Sequence, residues 1–244
     1  MNNALTVSGL TKTYKDFVLD NVSFSVPSGS IVGLIGENGA GKSTTINAAL
    51  GLIHKEAGHV SVLGKDELDN ETKEQIGVVF DGSNYPEILS PKKINQIMKN
   101  IYGSWDEQAY FRLLKQFSLP LDKQIKQFSK GMKMKLAISV ALSHHSKLLI
   151  LDEPTASLNE SDSKALLELL LQFKRQGMTS IIISHKLNEI SYVADKITII
   201  RDGSTIETLV KGVDDFSEER IIKGMVGRDM SSRFPKRESH IGEV

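Results

Sequence analysis

The chain predicts an α/β fold with a mixed sheet core, and three observations carry that expectation. Short apolar runs alternate with segments of helical period along most of its length. Two of the runs, Leu148 to Leu151 and Ile181 to Ile183, are continuously apolar, the pattern of strands buried on both faces of a parallel sheet. The third observation is the stretch Gly36-Glu37-Asn38-Gly39-Ala40-Gly41-Lys42-Ser43-Thr44, which fits G-x-x-x-x-G-K-S/T. It lies between the apolar run Ile31 to Ile35 and a helix-like segment ending near Gly51. Strand, glycine loop and helix are the setting in which backbone N–H groups and the positive end of a helix dipole cradle phosphate oxygens. In that setting Lys42 is expected to reach the β- and γ-phosphates and the Ser43 hydroxyl to bind Mg²⁺.

Composition limits what surrounds this loop. The 244 residues are 40% hydrophobic, enough for a buried core. The 30 basic and 30 acidic residues cancel, so no net field favours nucleic acid or an anionic membrane surface. Cysteine is absent, which excludes disulfides, thiolate metal sites and cysteine nucleophiles and is compatible with a reducing cytoplasm. Met1-Asn2-Asn3 carries no basic apolar signal, and no apolar run approaches the ~18 residues of a membrane span. Work at a membrane therefore needs a span from another polypeptide.

In chain order, the alternation in Leu5-Thr6-Val7 and in Val22-Ser23-Phe24-Ser25-Val26 predicts half-buried strands, the second ended by Pro27-Ser28-Gly29. Tyr14, on the polar loop between them, either stacks on a purine or covers a sheet edge. His59 to Gly64 and Ile76 to Phe80 read as further strands. Beyond Asp81 the texture changes. Ser90-Pro91 opens a helix with Ile94, Ile97, Met98 and Ile101 on one face, and Leu113, Leu114 and Phe117 repeat the period before Pro120. Residues about 84–140 are expected to form a mostly helical insertion.

Ser129-Lys130-Gly131-Met132-Lys133-Met134-Lys135 leads into an apolar helix with Ser129 as its N-cap. Lys133 and Lys135 fit either an anion site or a solvated helix face. Leu148 to Glu153 is a buried strand ending in two carboxylates at its carboxyl end, where ligands of parallel sheets collect. Asp152 is placed to hold Mg²⁺, and Glu153 to orient or deprotonate an attacking water. Ser161 to Gln176 is helical, and Thr179 to Ser184 is a buried strand ending at His185, which either touches a γ-phosphate or is structural. Lys196 to Arg201 and Ser204 to Leu209 flank the hairpin signal Asp202-Gly203. Ser217 to Met225 reads as a helix, and the polar stretch from Gly227 as a linker.

Taken together, the motifs resemble the ABC-type ATPase family over residues 4–226: Tyr14, the phosphate loop Gly36 to Thr44, Ser129-Lys130-Gly131-Met132, Leu148 to Glu153, Ala156-Ser157-Leu158-Asn159 and His185, in that order. The resemblance implies a P-loop NTPase fold whose cofactors are ATP and Mg²⁺. Tyr14, Gly36, Asn38, Gly39, Gly41, Lys42, Ser43, Thr44, Ser129 and Gly131 would bind nucleotide, with Ser43, Asp81 and Asp152 on the metal. Glu153, His185 and Lys42 would carry the chemistry. It also implies a head-to-tail dimer, with itself or another ABC ATPase, in which Ser129 and Gly131 of one subunit cover the γ-phosphate held by Lys42 of the other. The expected partner is an integral membrane permease, which places the protein at the cytoplasmic face of the membrane.

Three positions depart from the family pattern: Asp81 stands where glutamine is usual, Lys130 replaces a glycine, and Asn159 replaces an aspartate. Up to about Glu153 the chain resembles single-domain subunits of exporter-type permeases. From about Pro154, in Leu158 to Ser163, Ile183 to Ile190 and Gly224 to Met230, it resembles the first module of sugar-importing ABC ATPases, with a tail like their inter-module linker. That comparison leads to the expectation of a hybrid joined near Asp152 to Leu158. The expected function is an ATP-hydrolysing transporter subunit. The alternatives are a soluble ABC ATPase acting on ribosomes or DNA, which usually carries paired modules or a coiled-coil insertion, and a nucleotide binder coupled to nothing.

Overall fold

The computed structural model describes residues 2–66, 68–81 and 85–227. Gly82 to Asn84, at the start of the expected helical insertion, and the stretch after Gly227, expected as a linker, lie outside the described residues.

Among the described residues nine strands form two sheets. β2 (Val18–Pro27), β1 (Asn3–Thr13) and β4 (Ala57–Val62) make an antiparallel sheet in that order. β5 (Ile76–Val79), β6 (Leu148–Asp152), β7 (Thr179–Ile183), β3 (Ile31–Ile35), β8 (Lys196–Arg201) and β9 (Ser204–Val210) make the second. Its first five strands are parallel, and β9 folds back antiparallel through Asp202 and Gly203, both left-handed at φ 50° and 77°. Two adjacent left-handed residues are what a two-residue type I′ hairpin needs, so the Asp-Gly signal is obeyed.

The continuously apolar strands have a physical reason. Alternate side chains of the large sheet enter two different cores. Val32, Leu34, Leu148, Ile150, Ile181 and Ile183 pack toward the small sheet with Leu5, Leu10 and Val22. Ile31, Ile35, Leu149, Leu151 and Ile182 pack with Ile138, Leu166 and Leu170 on the helical side. No face of β3, β6 or β7 is left for a polar alternation to mark.

Between β5 and β6, which pair directly, the chain is helical: α3 (Pro91–Ile101), α4 (Glu107–Gln116), a 3₁₀ turn (Ile125–Gln127) and α5 (Lys130–Leu142). Ser90 precedes α3, Asp106 caps α4 by accepting from Ala109 N–H, and Ser129 caps α5 by accepting from Met132 N–H at 3.2 Å. α1 (Lys42–Ala49), α6 (Glu160–Arg175) and α8 (Glu218–Val226) lie within about two residues of the predicted segments. Two short helices, α2 (Asn70–Glu74) and α7 (Leu187–Val193), were not legible, being too short to show a period. α7 sits hard on β3, because a Cβ added at Gly33 would come within 2.5 Å of Ile190 Cγ2. No helix among the described residues is long and apolar enough to cross a membrane.

Candidate functional site

The phosphate-loop motif closes on geometry that only glycine allows at two points. At Gly36 a Cβ would lie 2.1 Å from the Ile200 carbonyl oxygen, so the loop leaves β3 in contact with the β8 backbone. Gly41 is left-handed at φ 104°, and a Cβ there would meet Leu19 at 2.8 Å and the Phe17 ring at 2.9 Å. α1 starts at the next residue with no side chain capping it and no acid in its first turn. Its leading N–H groups and its dipole are thus left to an anion.

Lys42 is buried at this end, and its ammonium donates to the carbonyls of Gly36 at 2.9 Å and Glu37 at 3.0 Å. Burial pulls its pKa below the usual lysine value, and the nearby charges of Glu153 and Asp152 oppose that fall. A desolvated cation held by two carbonyls can exchange those acceptors for phosphate oxygens.

The strand order assembles the rest. Asp81 follows β5, Asp152 ends β6, His185 follows β7 and the glycine loop follows β3, so neighbouring strands deliver them to one carboxyl-end rim. The Ser43 hydroxyl donates to Asp152 Oδ2 at 3.2 Å. Burial raises the Asp152 pKa; the Ser43 hydrogen bond lowers it, and the charges of Glu153 and Asp81 push it up again. Glu153 has left-handed backbone at φ 49°, an unfavourable conformation for a residue with a side chain. Its N–H donates to Ile183 O at 2.8 Å, and its Oε2 lies 2.9 Å from Nδ1 of His185.

A cleft of about 580 Å³ joins these groups. Asn38, Gly39, Gly41, Lys42, Ser43, Thr44, Asp81, Asp152 and Glu153 all line it, whereas Gly36, the first residue of the loop, does not and packs on the Ile200 carbonyl. His185 joins through Glu153. Tyr14, Ser129 and Gly131 do not line it. Tyr14 is 43% exposed with the Lys12 ammonium 5.6 Å from its ring centre. The aromatic that faces the cleft is Phe17, together with Asp16. Sequence reading missed both, because only the packing of the Phe17 ring on Gly41 distinguishes it from Tyr14 in the same loop.

At the start of α5, Gly131 packs on the loop between β6 and α6, where a Cβ would stand 2.8 Å from Ser157 O. Lys133 and Lys135 are ion-paired, with Glu87 and Asp162, each at 2.7 Å. Both ammonium groups are thus engaged by carboxylates of this chain, which matches neither an anion site nor a freely solvated helix face. Asn159 caps α6 by accepting from Asp162 N–H at 2.8 Å, a task an asparagine performs as well as an aspartate. Among the described residues no group of three or more His, Cys, Asp and Glu is arranged to hold a metal ion. The donors Ser43, Asp152 and Asp81 are all oxygen, which suits a hard cation that takes few protein ligands.

The ABC transporter family model matches residues 19–156. The chain is 42% identical over 255 residues to the L-arabinose transport ATP-binding protein AraG of Geobacillus stearothermophilus, covering 98% of this chain and 50% of that protein. It is 34% identical over 253 residues to the ribose import ATP-binding protein RbsA of Bacillus subtilis strain 168, covering 98% and 51%. The chain spans about half the length of the curated relatives it matches. Among solved structures, an ATP binding subunit of an ABC transporter aligns at TM-score 0.79 and 30% identity over 93% of this chain and 96% of that one. The dimeric ATP-binding cassette MJ0796, in a post-hydrolysis state bound to ADP and Pi, aligns at TM-score 0.75 and 24% identity over 84% and 98%, a likeness of fold. The expected hybrid finds no support, since the likeness to AraG runs through Asp152 to Leu158 along nearly the whole chain. With a family model matching more than half of it and a relative 42% identical along nearly all of it, the chain belongs to the ABC transporter family, as an ATP-binding domain.

Proposed function

We propose that this chain is the ATP-hydrolysing domain of a sugar-importing ABC transporter, working as a dimer of cassettes on a membrane permease at the cytoplasmic face. The observation that carries the reading is the single cleft shared by Lys42, Ser43, Asp152 and Glu153. Lys42 and the N–H groups of the Gly36 to Thr44 loop bind the phosphates. Bound Mg²⁺ neutralises phosphate charge, and Ser43, Asp152 and Asp81 would hold it. Glu153 orients the attacking water and takes its proton, while His185 holds the Glu153 carboxylate. Tyr14 remains the proposed adenine contact, outside the phosphate cleft.

Ser129 and Gly131 lie away from this chain's own cleft, which supports their use by a second cassette docked head to tail, the same or a different ABC ATPase. Residues 1–226 are proposed as the cassette, with residues about 84–140 as its helical insertion and 227–244 as a linker-like tail. The sugar cargo follows from the names of the relatives, and no nucleic acid partner is proposed.

The test is a pair of variants. Lys42→Ala should abolish ATP binding. Glu153→Gln should keep ATP affinity, lose turnover and run as an ATP-dependent dimer in size-exclusion chromatography. Unchanged turnover in either variant would refute the assignment.

A further inference from the structure

The Glu153–His185 pair raises a question of support. The His185 side chain is 61% exposed, so little packing fixes its rotamer. Glu153 sits on left-handed backbone, which persists only where surrounding bonds over-determine it. Directly beyond each of them, three side chains close a ring. The hydroxyl of Thr155, itself 1% exposed, donates to Glu189 Oε2 at 2.5 Å. The Lys186 ammonium donates to the other Glu189 oxygen at 3.3 Å and to the Thr155 carbonyl at 2.9 Å. Lys186 N–H also donates to the Ser184 hydroxyl at 3.1 Å, fixing the backbone on both sides of His185. Glu189 stands in the first turn of α7, whose Ile190 is seated on Gly33 of the central strand. The ring is therefore anchored to the rigid sheet, and it ties the segment after β6 to the segment after β7.

We infer that Thr155, Lys186 and Glu189 are positioning residues that hold His185 and Glu153 in register across the two strand ends. The inference rests on the hydrolytic role proposed for that pair and assigns the ring a part in it. None of the three lines the phosphate cleft, so their loss should leave nucleotide binding intact. A group displaced by a fraction of an ångström nevertheless loses much of its rate advantage.

The experiment uses Thr155→Val, which keeps shape and removes the hydroxyl, with Thr155→Ser as the conservative rescue and Glu189→Ala as an independent break. Thr155→Val and Glu189→Ala are expected to lower kcat by about 10- to 100-fold with KM for ATP within about twofold of wild type, and Thr155→Ser to restore most of the rate. A second readout needs no turnover. In ¹⁵N-histidine spectra of the nucleotide-free protein, the His185 Nδ1 signal, assigned by its loss in His185→Gln, should move toward that of a free imidazole in Thr155→Val and return in Thr155→Ser. A His185 signal unmoved by either break, or a rate loss accompanied by an equal rise in KM, would overturn the inference. A wild-type protein that fails to hydrolyse ATP would instead refute the function proposed above, and the spectra would still decide the ring.

Discussion

Replacing Glu153 by glycine should leave the protein more stable than replacing it by alanine, the reverse of the usual order. The reason is the left-handed backbone at φ 49°. A residue with a Cβ gives up about 1–2 kcal/mol in that region. Glycine escapes this cost but loses about 0.5–1 kcal/mol more chain entropy on folding. Taking the middle of each range, the glycine variant comes out ahead by about 0.75 kcal/mol. Everything else cancels, because both variants lose the same carboxylate, the same bond to His185 and the same repulsion on Asp152. For a domain of this size that margin is a melting temperature higher by about 1–4 °C. Urea unfolding followed by circular dichroism, with equal m-values for the two variants, measures it directly. An alanine variant as stable as the glycine variant would show that position 153 carries no backbone strain, and the argument that its carboxylate is held there at a cost would fail.

His144 gives a pH prediction. It is 2% exposed, stacked 4.2 Å from Tyr102, and donates from Nδ1 to Glu74 O at 2.9 Å; burial holds its pKa below 6.5. As pH falls below 6.5 the unfolded chain gains a proton that the folded one refuses, so stability should drop on acidification toward the folded value, and His144→Gln should flatten the urea midpoint over that window. Asp152 has the opposite sign. Its folded pKa is raised above 3.8, so its charge costs stability in full above that folded value and the cost is relieved as pH falls toward 3.8; Asp152→Asn should raise the nucleotide-free melting temperature at neutral pH while weakening ATP binding, both readable by thermal shift. Gly36→Ala places a Cβ against backbone that cannot move aside, and should cost about 3 kcal/mol or more in urea unfolding.

The fold was legible wherever a pattern was both local and long enough. The run from Ile31 to Ile35, the glycine loop and the helix after it are contiguous, so their order alone specifies their geometry. The interior position of β6 and β7 was legible too, since strands buried on both faces must lie inside the sheet; that they pair with each other, Asp152 opposite Ile183, is visible only in the fold. Division into two sheets was not. β1 and β2 alternate like any half-buried pair, and nothing local says that their apolar faces close over Val32 and Leu34 rather than over helices.

At the site, the residue types were readable and their contacts were not. Lys42, Ser43 and Asp152 belong to motifs whose spacing reports their chemistry, and they meet in one cleft. Tyr14 and Phe17 sit three residues apart in one loop, and which of them faces the cleft depends on whose ring lies over Gly41, a question of tertiary packing. Thr155, Lys186 and Glu189 belong to no spacing pattern at all, because their ring closes only after two strands from distant parts of the chain become neighbours. The unsupported expectation of a hybrid has the same origin. A resemblance carried by local stretches such as Leu158 to Ser163 is blind to contacts between them and the rest of the chain, yet Lys135 pairs with Asp162 and Gly131 packs on Ser157. Segments on either side of the supposed junction thus fit each other in detail. That fit is what a chain continuous in its relatives requires, and a hydrophobic pattern alone could not have revealed it.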